Sequence, residues 1–348
     1  MRIPLLNKLP SLSRIVECIL KNIGIDIITN DADSHTNIFD LVYLEIVRAC
    51  PVKCVPCPVG REIINQHSAT IIDLNVARKC LMKLRAEFKV STLIMGNWGE
   101  PLLHPNFAEI VEIARETGFT SIGVSTSLSV NADMSRLASA GFDSIAISIS
   151  GISKDVYNKS HRQGDFDLVM KNLEELVTLI KKFNYRTKIT VRWHRYKHNE
   201  FQYADLKKLC DKLGVGYNAY FGHLGSIESL QDWENNNLEE PLKSFSENSV
   251  FTGFIEQACD LNKGSLSCRQ SDFLVIDADA TLLFCCSCYN YYKQSLDFLS
   301  STPLDVKNFK QLDSSVCLRC LANGWSGYMN RPKTLEEYGG HIKLTNRL

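Results

Sequence analysis

From about residue 41 onward, apolar positions along this chain follow two alternating rhythms. Short runs dense in branched and aromatic residues predict strands, and longer runs with apolar positions every third or fourth residue predict helices. Residues 41–47 read as a first strand, 74–88 as a helix with Asp73 as its N-cap, and 92–95 as a second strand. The alternation continues through a helix at 106–117 closed by Gly118, a strand at 121–125, and a helix at 132–140 closed by Gly141. A strand at 144–149, a long helix at 166–183, a strand at 188–193, a helix at 200–213 closed by Gly214, and a strand at 215–220 complete it. Upstream, Leu12, Ile15, Val16, Ile19, Leu20 and Ile23 have helical spacing across 11–28.

Six such alternations predict an α/β fold, a parallel sheet with helices outside it. Six units fall short of a closed eight-stranded barrel. In parallel sheets ligands collect at the carboxyl ends of strands. That rule draws attention to Ser125, Thr126 and Ser127 after the third strand, Ser148 and Ser150 after the fourth, and Arg192 and His194 after the fifth. Strand-end capping accounts equally well for any single serine. The polar, aromatic stretch 192–200 reads either as a ligand-contacting loop or as a solvated loop with Asn199 as N-cap.

Beyond residue 242 the alternation stops. Two apolar runs flank Asp277, Ala278, Asp279 and Ala280, the pattern of a β-hairpin whose turn lacks the usual glycine.

Length and composition narrow the class. With 348 residues, 45% of them hydrophobic, the chain is long enough for one large domain plus a smaller module. Lys plus Arg and Asp plus Glu both number 39, so no global field points to nucleic acid or to a membrane surface. The basic group Arg186, Lys188, Arg192, Arg195 and Lys197 reads as a solvated strand end. The first residues lack a sustained apolar core and no run is long enough to span a bilayer, so a cytoplasmic, thiol-reducing setting is expected.

The 13 cysteines are odd in number and clustered, which argues against a disulfide framework. Cys50, Cys54 and Cys57 lie after the first strand. Thiolates suit iron–sulfur clusters and zinc. Three of them cover three corners of a four-iron cube and leave one iron open; zinc would want a fourth nearby Cys or His. A second set comprises Cys268, the adjacent Cys285 and Cys286, Cys288, and the pair Cys317 and Cys320. Side chains alternate along a strand, so one of Cys285 and Cys286 is expected to face a metal. A four-thiolate zinc site is the competing reading there. Cys18, Cys80, Cys210 and Cys259 fall in helical patterns and read as buried apolar residues.

The C-x3-C-x2-C loop, followed after the second strand by Gly99, Glu100, Pro101, Leu102, Leu103, His104 and Pro105, resembles the radical S-adenosylmethionine (SAM) superfamily. The usual G-G-E-P has lost its first glycine, since the stretch reads Asn97, Trp98, Gly99, Glu100, Pro101. The second cysteine set resembles the SPASM or shortened twitch domains of that superfamily. The resemblance implies an N-terminal helical extension over 1–37, a partial (β/α)6 TIM-like barrel over 38–240, and a small C-terminal β-hairpin/helix cluster-binding domain over 241–348. It implies a [4Fe-4S] cluster on Cys50, Cys54 and Cys57 with SAM on the open iron, and Gly99 and Glu100 at the methionine end. Ser125, Ser148 and Arg192 would contact SAM. Cys268, one of Cys285, Cys286 and Cys288, Cys317 and Cys320 would hold one auxiliary [4Fe-4S] cluster. Arg162 would close over the cofactor or cap the helix that follows.

The implied activity is reductive cleavage of SAM to a 5′-deoxyadenosyl radical, which abstracts hydrogen from a substrate C–H bond. Oxidation, epimerisation or crosslinking of a sugar-like or peptide substrate would follow, with flavodoxin or ferredoxin as electron donor. The competing reading is a non-catalytic zinc or iron–sulfur scaffold, or an electron-transfer protein.

Overall fold

The computed structural model describes residues 38–61, 70–289, 295–311 and 314–329. The helix expected over 11–28, and Cys18 with it, lie outside the described residues.

The strands β1 (Leu41–Leu44), β2 (Thr92–Met95), β3 (Ser121–Thr126), β4 (Ser144–Ser148), β5 (Lys188–Arg195) and β6 (Gly216–Phe221) follow the predicted alternation. They pair in parallel in the order β6, β5, β4, β3, β2, β1. Helices α1 (Leu74–Glu87), α2 (Phe107–Glu116), α3 (Met134–Ser139), α5 (Phe166–Lys182) and α6 (Tyr203–Leu213) are the crossovers. The short α4 (Lys154–Ser160) was not anticipated, because it buries only Val156, Tyr157 and Ser160 and shows too little periodicity to read. The sequence and the structure agree on an α/β partial barrel of parallel strands.

Local chemistry accounts for the boundaries. Asp73 accepts from the backbone N–H groups of Asn75 and Val76 and opens α1, and Asp165 accepts from Leu168 and opens α5. Each helix turns an apolar face inward: Ala77, Cys80, Leu81 and Leu84 of α1 are fully buried against Val42 and Leu44 of β1 and Leu93 and Met95 of β2. Burying a side chain of leucine size contributes about 1.5–3 kcal/mol. Cys210 and Cys259 are buried on their helices as well.

Two differences from the expected pattern position the site. The first strand breaks after Leu44, and Val47–Arg48 forms a separate antiparallel pair with Thr70–Ile71. The bend lets Glu45 turn under the loop that follows β2. Beyond β1 the sheet does not end. Strand β7 (Phe273–Ile276) pairs with β1 in parallel, and β8 (Thr281–Leu283) and β9 (Leu296–Asp297) add antiparallel strands outside it. The hairpin turn has Ala280 at φ +64, the left-handed conformation for which glycine was missing.

Helices α7 (Ile227–Glu234), α8 (Leu242–Ser249), α9 (Thr252–Asn262), α10 (Pro303–Phe309), α11 (Ser315–Ala322) and α12 (Trp325–Met329) complete the described chain. Phe221 stacks on Phe254 at 4.3 Å, and Tyr196, Phe245, Trp325 and Tyr328 extend this aromatic packing to Cys285, Cys288 and Cys320. Among the described residues no helix is long and apolar enough to cross a membrane.

Candidate active site

The first cysteine loop leaves β1 and is tied down on several sides. Lys53–Cys54 pairs antiparallel with His161–Arg162, and the Arg162 Nε donates to the Lys53 carbonyl at 3.2 Å. Arg162 thus faces the cysteine loop, while Asp165 caps the helix. Backbone amides aim at the sulfurs: Val52 at Cys50, and Val59 and Gly60 at Cys57. Burial pushes all three thiols above their ordinary range, Cys57 raises Cys50 and Cys54 further, and these amides pull the other way. Cys50, Cys57 and Trp98 pack against the buried pair Val59 and Tyr289.

Gly99 stands where the loop after β2 meets the cysteine loop. A Cβ on Gly99 would lie 1.7 Å from the Val47 carbonyl oxygen, so only glycine fits. Glu45 fastens the same contact: its Oε2 accepts from the amides of Asn97, Trp98 and Gly99 at 3.1, 2.5 and 3.1 Å. Its Oε1 is buried without a partner, and burial drives the carboxyl up to about 7 against those amides. Glu100 is 1% exposed. Its carboxylate accepts from Leu102 N at 3.2 Å, Thr126 Oγ1 at 2.6 Å, Ser127 N at 2.8 Å and Ser127 Oγ at 2.6 Å. A carboxylate has about four acceptor sites, so the end of β3 already satisfies it.

Ser125, Ser148 and Arg192 gather at the carboxyl ends of β3, β4 and β5. The Arg192 Nη1 donates to Ser125 Oγ at 3.1 Å, and Ser148 is paired in register with Arg192. Beside them His194 lies 5.6 Å from Tyr220 and 5.7 Å from His223, ring centre to ring centre. The 192–200 loop is largely engaged with its own fold: Arg195 pairs with Glu200, and the Asn199 amide donates to the carbonyls of Ser150 and His194. Asn199 makes no side-chain cap, since its Oδ1 accepts from Tyr196 N instead.

The second cysteine set lines one cavity. Cys268, Cys285, Cys288, Cys317 and Cys320 face it, together with Gln270, Ser271 and Lys310. Cys286 is half-buried in the turn that follows β8 and does not line it. Cys288 does, three residues beyond Cys285 and hydrogen-bonded to it. The amides of Gln270 and Ser271 aim at Cys268, that of Ser287 at Cys285, and the Ser314 side chain at Cys317. Burial pushes the Cys317 thiol up to about 12.

Both cysteine sets suit metal-bound sulfur, because N–H groups aimed at a sulfur favour its thiolate form. Among the described residues no three His, Cys, Asp or Glu side chains converge as ligands of a single ion. A four-iron cluster instead spreads its thiolates over the corners of a cube.

The described strands form an open parallel half-barrel with a cysteine loop after the first strand. Residues 44–191, less than half of the chain, match the model of the Radical SAM superfamily. GTP 3′,8-cyclase of Chlorobaculum tepidum is 26% identical over 140 residues, 40% of this chain and 41% of the relative. Pre-heme d1 synthase of Dinoroseobacter shibae is 29% identical over 187 residues, 53% of this chain and 43% of the relative. The chain therefore spans less than half the length of these curated relatives. Among solved structures, Streptococcus suis SuiB bound to S-adenosylmethionine aligns with a TM-score of 0.55 and 12% identity, over 91% of this chain and 78% of that one. At that identity the likeness is one of fold.

Sequence reasoning missed Glu45 and Lys310, and left Cys288 open as an alternative to Cys285 and Cys286. Glu45 reads as one polar residue in an alternating strand, and only the loop 52–54 residues downstream reveals its use.

Proposed function

We propose that this chain is a radical SAM enzyme in which Cys50, Cys54 and Cys57 hold a four-iron cluster and leave one iron to S-adenosylmethionine. The observation that carries this reading is the close meeting of the amide-supported thiol triplet with the Gly99 loop. When bound, the cluster and SAM supply a 5′-deoxyadenosyl radical able to take hydrogen from an unactivated C–H bond. The chain's own residues bind, orient and shield. Glu45 and Glu100 fix the loop after β2 from both sides. Gly99 lets that loop approach the thiols, and Ser125, Ser148 and Arg192 offer hydrogen bonds to the nucleoside or carboxylate. Val59, Trp98 and Tyr289 exclude water from Cys50 and Cys57.

Cys268, Cys285, Cys317 and Cys320 would hold an auxiliary four-iron cluster, with Cys288 as a fifth thiol in the same cavity. His194, Tyr220 and His223 cluster as aromatic, hydrogen-bonding side chains at the strand ends, which would suit a polar sugar-like or peptide substrate. SuiB, similar in fold, has been crystallised with its precursor peptide SuiA. A flavodoxin or ferredoxin would supply the electron.

The test is anaerobic reconstitution with iron and sulfide, then assay of 5′-deoxyadenosine from SAM under a low-potential reductant. Deoxyadenosine from the wild type and none from Cys54→Ala is expected. Zinc without iron or labile sulfide at both sites would favour a structural metal protein and sink the proposal.

A further inference from the structure

Lys310 is the C-cap of α10, a helix opened by the Thr302–Asp305 capping box. A lysine at a helix C-terminus ordinarily faces water beside the last carbonyls. This one turns inward and is 8% exposed. Its Nζ donates to the Phe284 carbonyl at 2.7 Å and to the Gln270 carbonyl at 3.3 Å. These two carbonyls belong to the residue before Cys285 and the residue two after Cys268. An ammonium has three N–H donors, so one remains for the cavity that Lys310 lines with the five thiols.

Its charge has no ordinary counterpart. Among the described residues Lys310 forms no ion pair with a carboxylate; burial pulls its ammonium below the ordinary lysine range, and only the negative charge of Cys285, Cys286, Cys317 and Cys268 as thiolates works the other way. Taking an unpaired cation out of water costs several kcal/mol. An anion in the cavity offsets that cost, and an iron–sulfur cluster on four thiolates is an anion.

We infer that Lys310 is the fixed counter-cation of the group held by the second cysteine set, and that its charge raises the reduction potential of a cluster there. The inference rests on the auxiliary-cluster reading. The sign follows from electrostatics: reduction adds negative charge, and a cation held close by stabilises the reduced form more than the oxidised one. Lys310 is a positioning and tuning residue that need not touch substrate.

The experiment uses the full chain with Cys50, Cys54 and Cys57 all changed to Ala, so that only the second site holds iron. Iron content and the midpoint potential are measured with Lys310 intact and in Lys310→Gln and Lys310→Arg. Lys310→Gln should make reduction at least tenfold less favourable, equivalent to about 59 mV for one electron, while Lys310→Arg stays near the parent. A parental potential in a fully loaded Lys310→Gln protein overturns the inference and leaves the cluster reading intact. No iron in the parent with Lys310 intact overturns the cluster reading itself. Should Lys310→Gln fail to load, the arginine variant decides. Loading at the parental potential supports a requirement for charge, and failure there too makes Lys310 a packing residue and overturns the inference.

Discussion

Glu45 and Glu100 are both buried carboxylates, one after β1 and one after β2, yet they do different work. Glu100 spends its acceptor sites on Leu102, Thr126 and Ser127, so Glu100→Ala should destabilise the apo chain by about 2–4 kcal/mol by leaving buried donors unpaired. Thermal melting without SAM checks this; an unchanged melting temperature would show that the latch is unimportant. Glu45 has a carboxyl raised to about 7 from 4.5. The folded state therefore keeps a proton that the unfolded state has lost between those values. Its contribution is fully present below about pH 4.5 and is lost as pH rises through 7, up to about 3 kcal/mol in all. Apo Glu45→Gln should lose less stability than wild type between pH 5 and 7.5, and parallel profiles would refute this. The cysteines and Glu100 were legible because their type and spacing are local. Glu45 and Lys310 were not, because each takes its meaning from carbonyls, amides or thiols that only the fold brings near.

The strand and helix alternation was legible at the scale of elements, because each helix buries one stripe and each strand one short run. What escaped was the break after Leu44, set by a contact with the loop after β2. The link between the cysteine loop and the hairpin escaped too. Arg48, beside that loop, pairs with Asp277 at 2.7 Å and with Asp279 at 2.9 Å across the hairpin turn. Asp277 is almost fully buried, and burial pushes its carboxyl up while Arg48 pulls it down. Arg48→Ala should cost about 3–5 kcal/mol in denaturant melts by stranding that carboxylate, and adding Asp277→Ala should recover part of the loss. Strictly additive losses would mean the pair is not coupled.

For the whole molecule, the decisive contact is the one between β1 and β7, which joins Leu41 to Phe273 in one register. Periodicity reveals each strand but not its partner, so a hairpin pairing onto the barrel's first strand was beyond the sequence. A chain stopped at residue 262 would expose the edge of β1, and we expect it to aggregate or be degraded rapidly by protease while the full chain resists. A stable monomeric fragment would show that β7 is dispensable. The same pairing sets an order of events during synthesis. The barrel's first strand cannot acquire its outer neighbour until residue 276 has cleared the ribosome, more than two hundred residues after it emerged. Until then the loop that carries the thiol triplet waits beside an unfinished edge, so under the cluster reading proposed above iron loading is expected only after residue 276 has emerged.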